Sequence, residues 1–525
     1  MPTAQPRRRG RPPEFVDDGT PPGARHGGAP QRVAWLLRRC RLHLRRGRFA
    51  RQREFVQALT DIGVSADASR VSRWENSELD VPPAVVAAYE QLLGLPDASL
   101  QAAARGMYGA LSPDLPAPPL YSLPAAESPR QAERRALRLA DVAALGQPTG
   151  GQWCELVERL AGAGLLIIPD ETARRLMQRL FSELGRSIGP AFVTRYEALR
   201  RLCTLPRFLP VALGEIEDLV HEPWSGVVID IVVVLTDVPG SQANDLILRL
   251  VRDEDPERQY AALWSAATRV DRGDLAGVQL VQLEQALIAL LAAGPPEPVQ
   301  TVATDVIACM PLSAQRRVLE AVWGLPGNAG RRRAIEAGEL IPAAAAAKAS
   351  RAVARHVLRS VADDDAEDSM LSRVLREAMA HTSRDRRHQA CVLLMVGPLR
   401  RPVADAVLAL WDTLLPQCRV HAAMLLSYLA DDSHLDELDQ RVAADGPLEL
   451  VRRSWMARAH LLRPVDDPGL LDRLRDAHPE VVKVALYALG MTGSAQLHEV
   501  AAQAFPEEVL GRSRWWINAG PAVRV

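Results

Sequence analysis

Four stretches near the C-terminal end of this 525-residue chain follow one plan: a turn, a polar or basic residue, then a helix rich in small apolar residues. They read SRDRRHQACVLLM, LPQCRVHAAMLLSYL, LELVRRSWMARAHLL and HPEVVKVALYALG. With Arg387, Arg419, Arg452 and Val482 as equivalent positions, the steps are 32, 33 and 30 residues. The segment DEDPERQYAALWSAA puts Gln259 in the same register, 128 residues before Arg387 and so four steps of 32. RYEALRRL at Arg195 and WSGVVIDIVVVL at Val228 fit less closely, and residues 270–380 are irregular. A period of this length implies stacked helix pairs, each burying one face on its neighbour and leaving a long curved surface for a partner. No alternating strand pattern appears between 130 and 515. The β-branched run at 227–235 reads as a buried helix because its neighbours are helical. An aromatic share of 5% and a dominance of Ala, Leu, Val and Arg point the same way.

The segment DAHPEVVKVALYALG resembles a HEAT repeat. In that family Asp-x-x-Pro makes the turn, an Arg or Lys follows, and Ala/Leu positions pack between stacked helices. Asp476, Pro479, Ala485, Ala488, Leu489 and Gly490 match, while Val482 occupies the usual Arg position with Lys483 beside it. A tetratricopeptide solenoid has a similar period and is the second choice.

The net charge of -1 conceals a division. Residues 1–111 carry 17 arginines against 11 acids, a net of +6, and the remaining 414 residues carry a net of -7. Residues 31–53 hold nine arginines and no acid. A basic head on an acidic body separates partners, because phosphate backbones attract the one and repel the other. Residues 1–30, with seven Pro and five Gly, read as a disordered tail, 31–111 as a compact set of short helices, and 112–129, with six prolines, as a stiff linker. Residues 130–525 are the repeat domain.

Within the basic head, Asp67 is placed to cap a helix over 68–75. On a helical wheel Ala68, Val71, Trp74 and Glu75 share the inner side. Ser69, Ser72, Arg73 and Asn76 share the outer one, with Arg70 on its flank. Such a face offers donors and acceptors to base edges and phosphates. Roughly residues 33–100 resemble the Cro/repressor-type helix-turn-helix family, the xenobiotic-response-element class of bacterial regulators. Gln52, Glu54 and Phe55 match the start of its first helix, and Val-Ser-Arg-Trp-Glu at 71–75 matches its recognition helix. The turn between the two helices is longer than usual by about two residues (Ala66, Asp67), and Ser77 stands where the family usually has Gly. The resemblance implies that Arg51 and Gln52 touch phosphates, that Ser69, Arg70 and Arg73 face bases, and that Asn76 returns to the backbone of the DNA. It also implies that Glu75 pairs with Arg41. PRRRGRPP resembles an AT-hook, whose Arg9-Gly10-Arg11 core would lie in a narrow minor groove.

The expected fold is therefore all-α, a five-helix-type helix-turn-helix domain followed by a HEAT-like or tetratricopeptide-like α-solenoid. The expected function is sequence-specific regulation of transcription on double-stranded DNA, with the solenoid holding a protein or peptide ligand. A homodimer is expected, since paired half-sites lie one helical turn apart. The six cysteines show no metal-type spacing, the first residues lack a signal peptide's apolar core, and the longest apolar run is too short for a bilayer. These features point to a reduced, cytoplasmic, nucleoid-associated protein without membrane contact. No phosphate-binding Gly-rich loop, His-Glu-x-x-His or Gly-x-Ser-x-Gly occurs, so neither enzyme activity nor a cofactor nor a metal is expected. The histidines, with His381 and His388 seven residues apart, read as surface or groove-lining, and the acidic run at 363–368 reads as an exposed inter-helix loop. The competing readings are a DNA-repair glycosylase of the HEAT-like class and a protein-binding scaffold with incidental DNA binding.

Overall fold

The computed structural model describes residues 15–21, 27–124, 126–162, 168–322, 341–361, 368–443, 446–465, 467 and 469–523. Among the described residues the chain is helical throughout and forms no strand. The run at 227–235 is helical, Val228–Val233 continuing into a 3-10 turn.

Five helices make the N-terminal unit: α1 (Ala29–His43), α2 (Gln52–Asp61), α3 (Ala68–Glu75), α4 (Pro83–Leu93) and α5 (Ser99–Leu111). Their ends follow from local chemistry. The Asp67 carboxylate accepts from the Arg70 amide at 2.8 Å and starts α3. Pro82 and Pro83 open α4, and Gly94, at φ +69, closes it in the left-handed region. Buried Glu90 caps α5 by accepting from the amides of Leu100 (2.5 Å) and Gln101 (3.0 Å). The shared core sets Phe55 edge-on against Phe49 (5.4 Å) and Tyr89 (4.6 Å). Trp35, Leu59, Val71 and Trp74 pack around it.

From Pro129 onward the helices pack in sequence order. All five register-equivalent segments lie on helices: Pro256–Arg272, Arg384–Met395, Pro416–Leu429, Leu448–Ala459 and Pro479–Thr492. The last four stand side by side, each against the next, and Glu507–Ala519 follows them. Proline in the first turn of several costs no hydrogen bond, since that amide has no helical partner. The irregular stretch between 270 and 380 is also helical where described.

The proline-rich 112–124 segment is pinned to the body. Leu120 is buried, its amide donates to Glu158 (2.8 Å), and the Ser122 amide donates to Gln101 (2.7 Å).

The array curls until its ends meet. Helix Arg384–Met395 touches both Gly189–Cys203 and Pro256–Arg272. Arg186 donates to the carbonyl of Ala519 (2.5 Å), and the Val523 amide donates to Arg186 (2.7 Å). Arg512 pairs with Glu257 at 2.6 Å. Trp516 fills the seam between Gly226 and Gly490, and a Cβ on either glycine would overlap its ring. Gly490 is therefore required by close approach, not by backbone conformation.

Replacing Gly490 by Ala should lower the urea midpoint, with a loss of roughly 1–3 kcal/mol from overpacking. Gly214→Ala, in helix Phe208–Val220 with nothing within 4 Å of the new methyl, should raise stability instead.

Candidate nucleic-acid interface and central cavity

Helix α3 turns Val71, Trp74 and Glu75 inward and leaves Ser69, Arg70 and Arg73 exposed. Ala68, placed on the inner side by the wheel, is exposed at the first turn. The arginine that meets Glu75 is Arg41, through Nε (2.6 Å) and Nη2 (2.7 Å), and the Tyr89 hydroxyl donates to the same carboxylate (2.8 Å). Ser72 and Asn76 are half-buried and already engaged: Asn76 accepts from Arg38 (3.1 Å) and donates to Ser72 (3.4 Å). Ser77, at φ +58, supplies the left-handed turn after α3. Arg51, 86% exposed, and half-buried Gln52 stand at the start of α2. The acids near this face sit at the edge of ion-pair range, Arg51–Glu54 at 3.7 Å and Arg70–Asp67 and Arg73–Glu78 at 4.0 Å.

The nine arginines of 31–53 divide into two groups. Arg32, Arg39 and Arg41 are buried and paired, and Arg38 is half-buried. Arg45, Arg46, Arg48 and Arg51 are exposed between α1 and α2, and Arg53 is exposed in the first turn of α2. Arg45 and Arg46 hold positive φ (49° and 57°), a conformation costing roughly 1–3 kcal/mol each. The loop arginines were legible only as charge density, not as individual contacts.

The buried arginines fasten the N-terminal unit to the body. Arg32 pairs with Glu377 at 2.7 Å and with Asp18 at 2.6 Å. Arg39 pairs with Asp368 at 2.6 Å, and the Trp35 indole donates to the same carboxylate at 2.9 Å. Two expectations are corrected here. Asp368, the described end of the acidic run, is buried at the start of helix Ser369–Ala380 instead of lying in an exposed loop. Residues 15–21, expected within a disordered tail, pack between α1 and that helix. Phe15 is buried under Arg39, 3.7 Å from its guanidinium, and Asp17 pairs with Arg373 at 2.8 Å. Arg9, Gly10 and Arg11 lie outside the described residues.

Burial opposes charge on Glu377, but Arg32 and Arg386 outweigh it and hold the carboxyl at about 2, below its ordinary 4.5. Burial also keeps the nearby His381 neutral.

Helix α5 seats against Gly189–Cys203 and Arg384–Met395. On their far side these helices line a central cavity of about 1960 Å³, solvent space included. The residue after every register mark except Arg419 lines it: Tyr196, Ile229, Tyr260, His388, Arg453 and Lys483. The Arg419 segment contributes Met424 and Tyr428. An ion-pair chain runs from α5 to the cavity wall: Arg105–Glu197 (3.9 Å), Glu197–Arg200 (3.4 Å), Arg200–Asp237 (3.2 Å), Asp237–Arg272 (2.5 Å) and Arg272–Asp385 (2.8 Å). The Tyr196 hydroxyl joins it by donating to Asp237 at 2.7 Å. All six cysteines are buried thiols, and no group of three metal-ligating side chains occurs among the described residues. No helix among the described residues is long and apolar enough to cross a membrane.

No protein-family model and no curated protein sequence matches this chain.

Two outcomes follow for the docking of the N-terminal unit. Asp368→Ala strands the Arg39 charge in the interior and should cost about 3–5 kcal/mol, read by denaturation. The Glu377 carboxyl has a folded pKa below its unfolded one. Its stabilising contribution is therefore full above about pH 4.5 and fades as the pH falls toward 2. Limited proteolysis across that window should release the N-terminal unit earlier in wild type than at neutral pH, and Glu377→Gln should flatten the dependence.

Proposed function

We propose that this protein is a sequence-specific DNA-binding transcriptional regulator. Residues 31–111 act as a Cro/repressor-type helix-turn-helix domain, and the HEAT-like repeats of 130–525 act as the sensing or partner-binding module. The observation that carries this reading is the exposed α3 face of Ser69, Arg70 and Arg73. The same unit exposes five more arginines between the end of α1 and the first turn of α2, while the other arginines of the run are consumed in internal contacts. Charges on this side attract phosphates, and the acidic body repels them, so duplex DNA is steered to one end.

In this reading Arg70 and Arg73 reach base edges, with Ser69 beside them. Arg51, Gln52 and the loop arginines hold phosphates and set the orientation of the helix in the major groove. Ser72 and Asn76 support the helix through Arg38 and reach the DNA backbone only if that contact opens. The repressor-like family supplies the expectation of a homodimer on paired half-sites. The cavity lies one helix layer from α5, so an occupant that shifts Gly189–Cys203 or Arg384–Met395 presses directly on the DNA-reading unit.

Selection of bound sequences from a random pool, followed by mobility-shift titration, tests the assignment. Arg73→Ala should weaken the selected site by about 1–3 kcal/mol and relax preference at one base position. Arg51→Ala should weaken selected and random DNA alike and reduce the salt slope by about 1. A wild-type protein that prefers no sequence would overturn the reading.

A further inference from the structure

The cavity wall contains one carboxylate without a counter-charge. Asp230, on helix Val228–Val233, lines the cavity, and no described arginine, lysine or histidine pairs with it. The charged group that acts on it is Glu257, of the same sign. Burial and Glu257 together push its carboxyl up to about 7.

The cations that face the same space are all engaged. Arg452 and Arg453 are held by Glu449 at 2.8 Å, Lys483 by Glu480 at 3.2 Å and Arg512 by Glu257 at 2.6 Å. The two histidines of the wall add no positive charge, since burial lowers the pKa of both. His388 bonds the Tyr428 hydroxyl at 2.9 Å, and His460 bonds the Tyr487 hydroxyl at 3.0 Å. Burial raises the pKa of the Tyr428 and Tyr487 phenols, and the negative charge of Asp230 adds to the rise in both. Tyr487 in turn packs edge-on against Trp516 at 5.6 Å.

A half-buried acid without a counter-charge, in a wall that also carries Tyr260, Trp264, Tyr428 and Tyr487, attracts positive charge by Coulomb's law, and aromatic rings add the attraction of their quadrupoles. The fold already uses the second attraction nearby, where the Arg384 guanidinium lies 4.3 Å over Trp264. Methionines at 395, 424 and 456 and valines at 233, 299 and 484 add apolar surface to the wall. We infer that the cavity binds a small organic cation, a protonated or quaternary amine carried on an apolar body, with Asp230 as its counter-charge. This deepens the sensing role assigned to the repeat domain and rests on that reading for its biological meaning. The binding itself requires no DNA.

The test uses two ions of equal shape and opposite charge on the full chain at pH 8, where Asp230 is ionised. Tetraphenylphosphonium and tetraphenylborate are titrated by calorimetry and by tryptophan fluorescence. The cation should bind at least tenfold more tightly than the anion and quench the wall tryptophans. Asp230→Asn should lower affinity for the cation tenfold or more, and Asp230→Glu should restore it. Equal binding of the two ions by wild type, or undiminished cation affinity in a folded Asp230→Asn variant, overturns the inference. DNA selection is run without either ion, so failure there removes the regulator and leaves the cation site standing, and the converse holds as well.

Discussion

A guanidinium group leaves water only where acceptors meet it, and for the arginines of α1 those acceptors are carboxylates that decide where the N-terminal unit sits. Arg32 and Arg39 are fully buried on α1, and their partners Glu377 and Asp368 lie 345 and 329 residues away. Measured against apolar groups of the same size, such pairs add little net stability. Their effect is on alternatives: any other seating of the unit strands a buried charge, at about 3–5 kcal/mol for each broken pair. Asp18 and Asp17 extend the same logic to the segment before α1, which closes over Arg32 and Arg373. The two halves of the chain are thus one structure with one docking register, and the basic head is partly spent on its own body.

That division explains what could be read in advance. The helix over 68–75, its Asp67 cap and the Arg41–Glu75 pair involve neighbours in sequence or a short helical pairing, and all three were legible. The helical state of the five register segments was legible too, because their apolar positions recur at helical spacing. The fate of the nine arginines was not. A run without local acids looks the same whether its counter-charges are phosphates or carboxylates three hundred residues away. Asp368 failed for the converse reason: inside an acidic run it resembles solvated loop, and only the arriving Arg39 and Trp35 make it interior. The closing seam was equally hidden, since Gly226, Gly490 and Trp516 acquire meaning only when the array has curled far enough to bring them together. For the cavity, the missing step was small. One residue past five of the seven register marks stand Tyr196, Tyr260, His388, Arg453 and Lys483, with Ile229 and Val420 at the other two, and a largely polar and aromatic column in an otherwise aliphatic repeat marks a lined surface.

Closure also changes what the repeats can do. An open array of stacked pairs offers a long shallow surface suited to an extended partner. Here the seam at Trp516 brings the last helix against the turn before Val228–Val233 and turns that surface into the walls of a central cavity that stays partly open to solvent. Enclosure favours an occupant that is small and largely surrounded, because such a site strips most water from what it holds. It also raises the cost of any unmatched charge in the wall, which is why nearly every ionised side chain there has a partner.

The position of α5 joins the two sites physically. It packs on helices that carry Tyr196 and His388 into the cavity, and its Arg105 begins the ion-pair chain that ends at Asp385 on the wall. Close-packed helices with matched buried charges do not bend smoothly; they shift between discrete arrangements or not at all. If occupancy of the cavity alters the seating of α5, it alters the presentation of α3 through a unit whose core is shared by all five helices. In the regulator proposed above, linkage then requires the reverse, with DNA changing the affinity of the cavity for its occupant by the same factor. Contiguity alone does not establish that coupling, because a chain of contacts with a single arrangement transmits nothing. The distinguishing quantity is the free energy difference between two seatings of α5, and the Arg105–Glu197 contact, at 3.9 Å the longest link in the chain, is where a second arrangement would cost least.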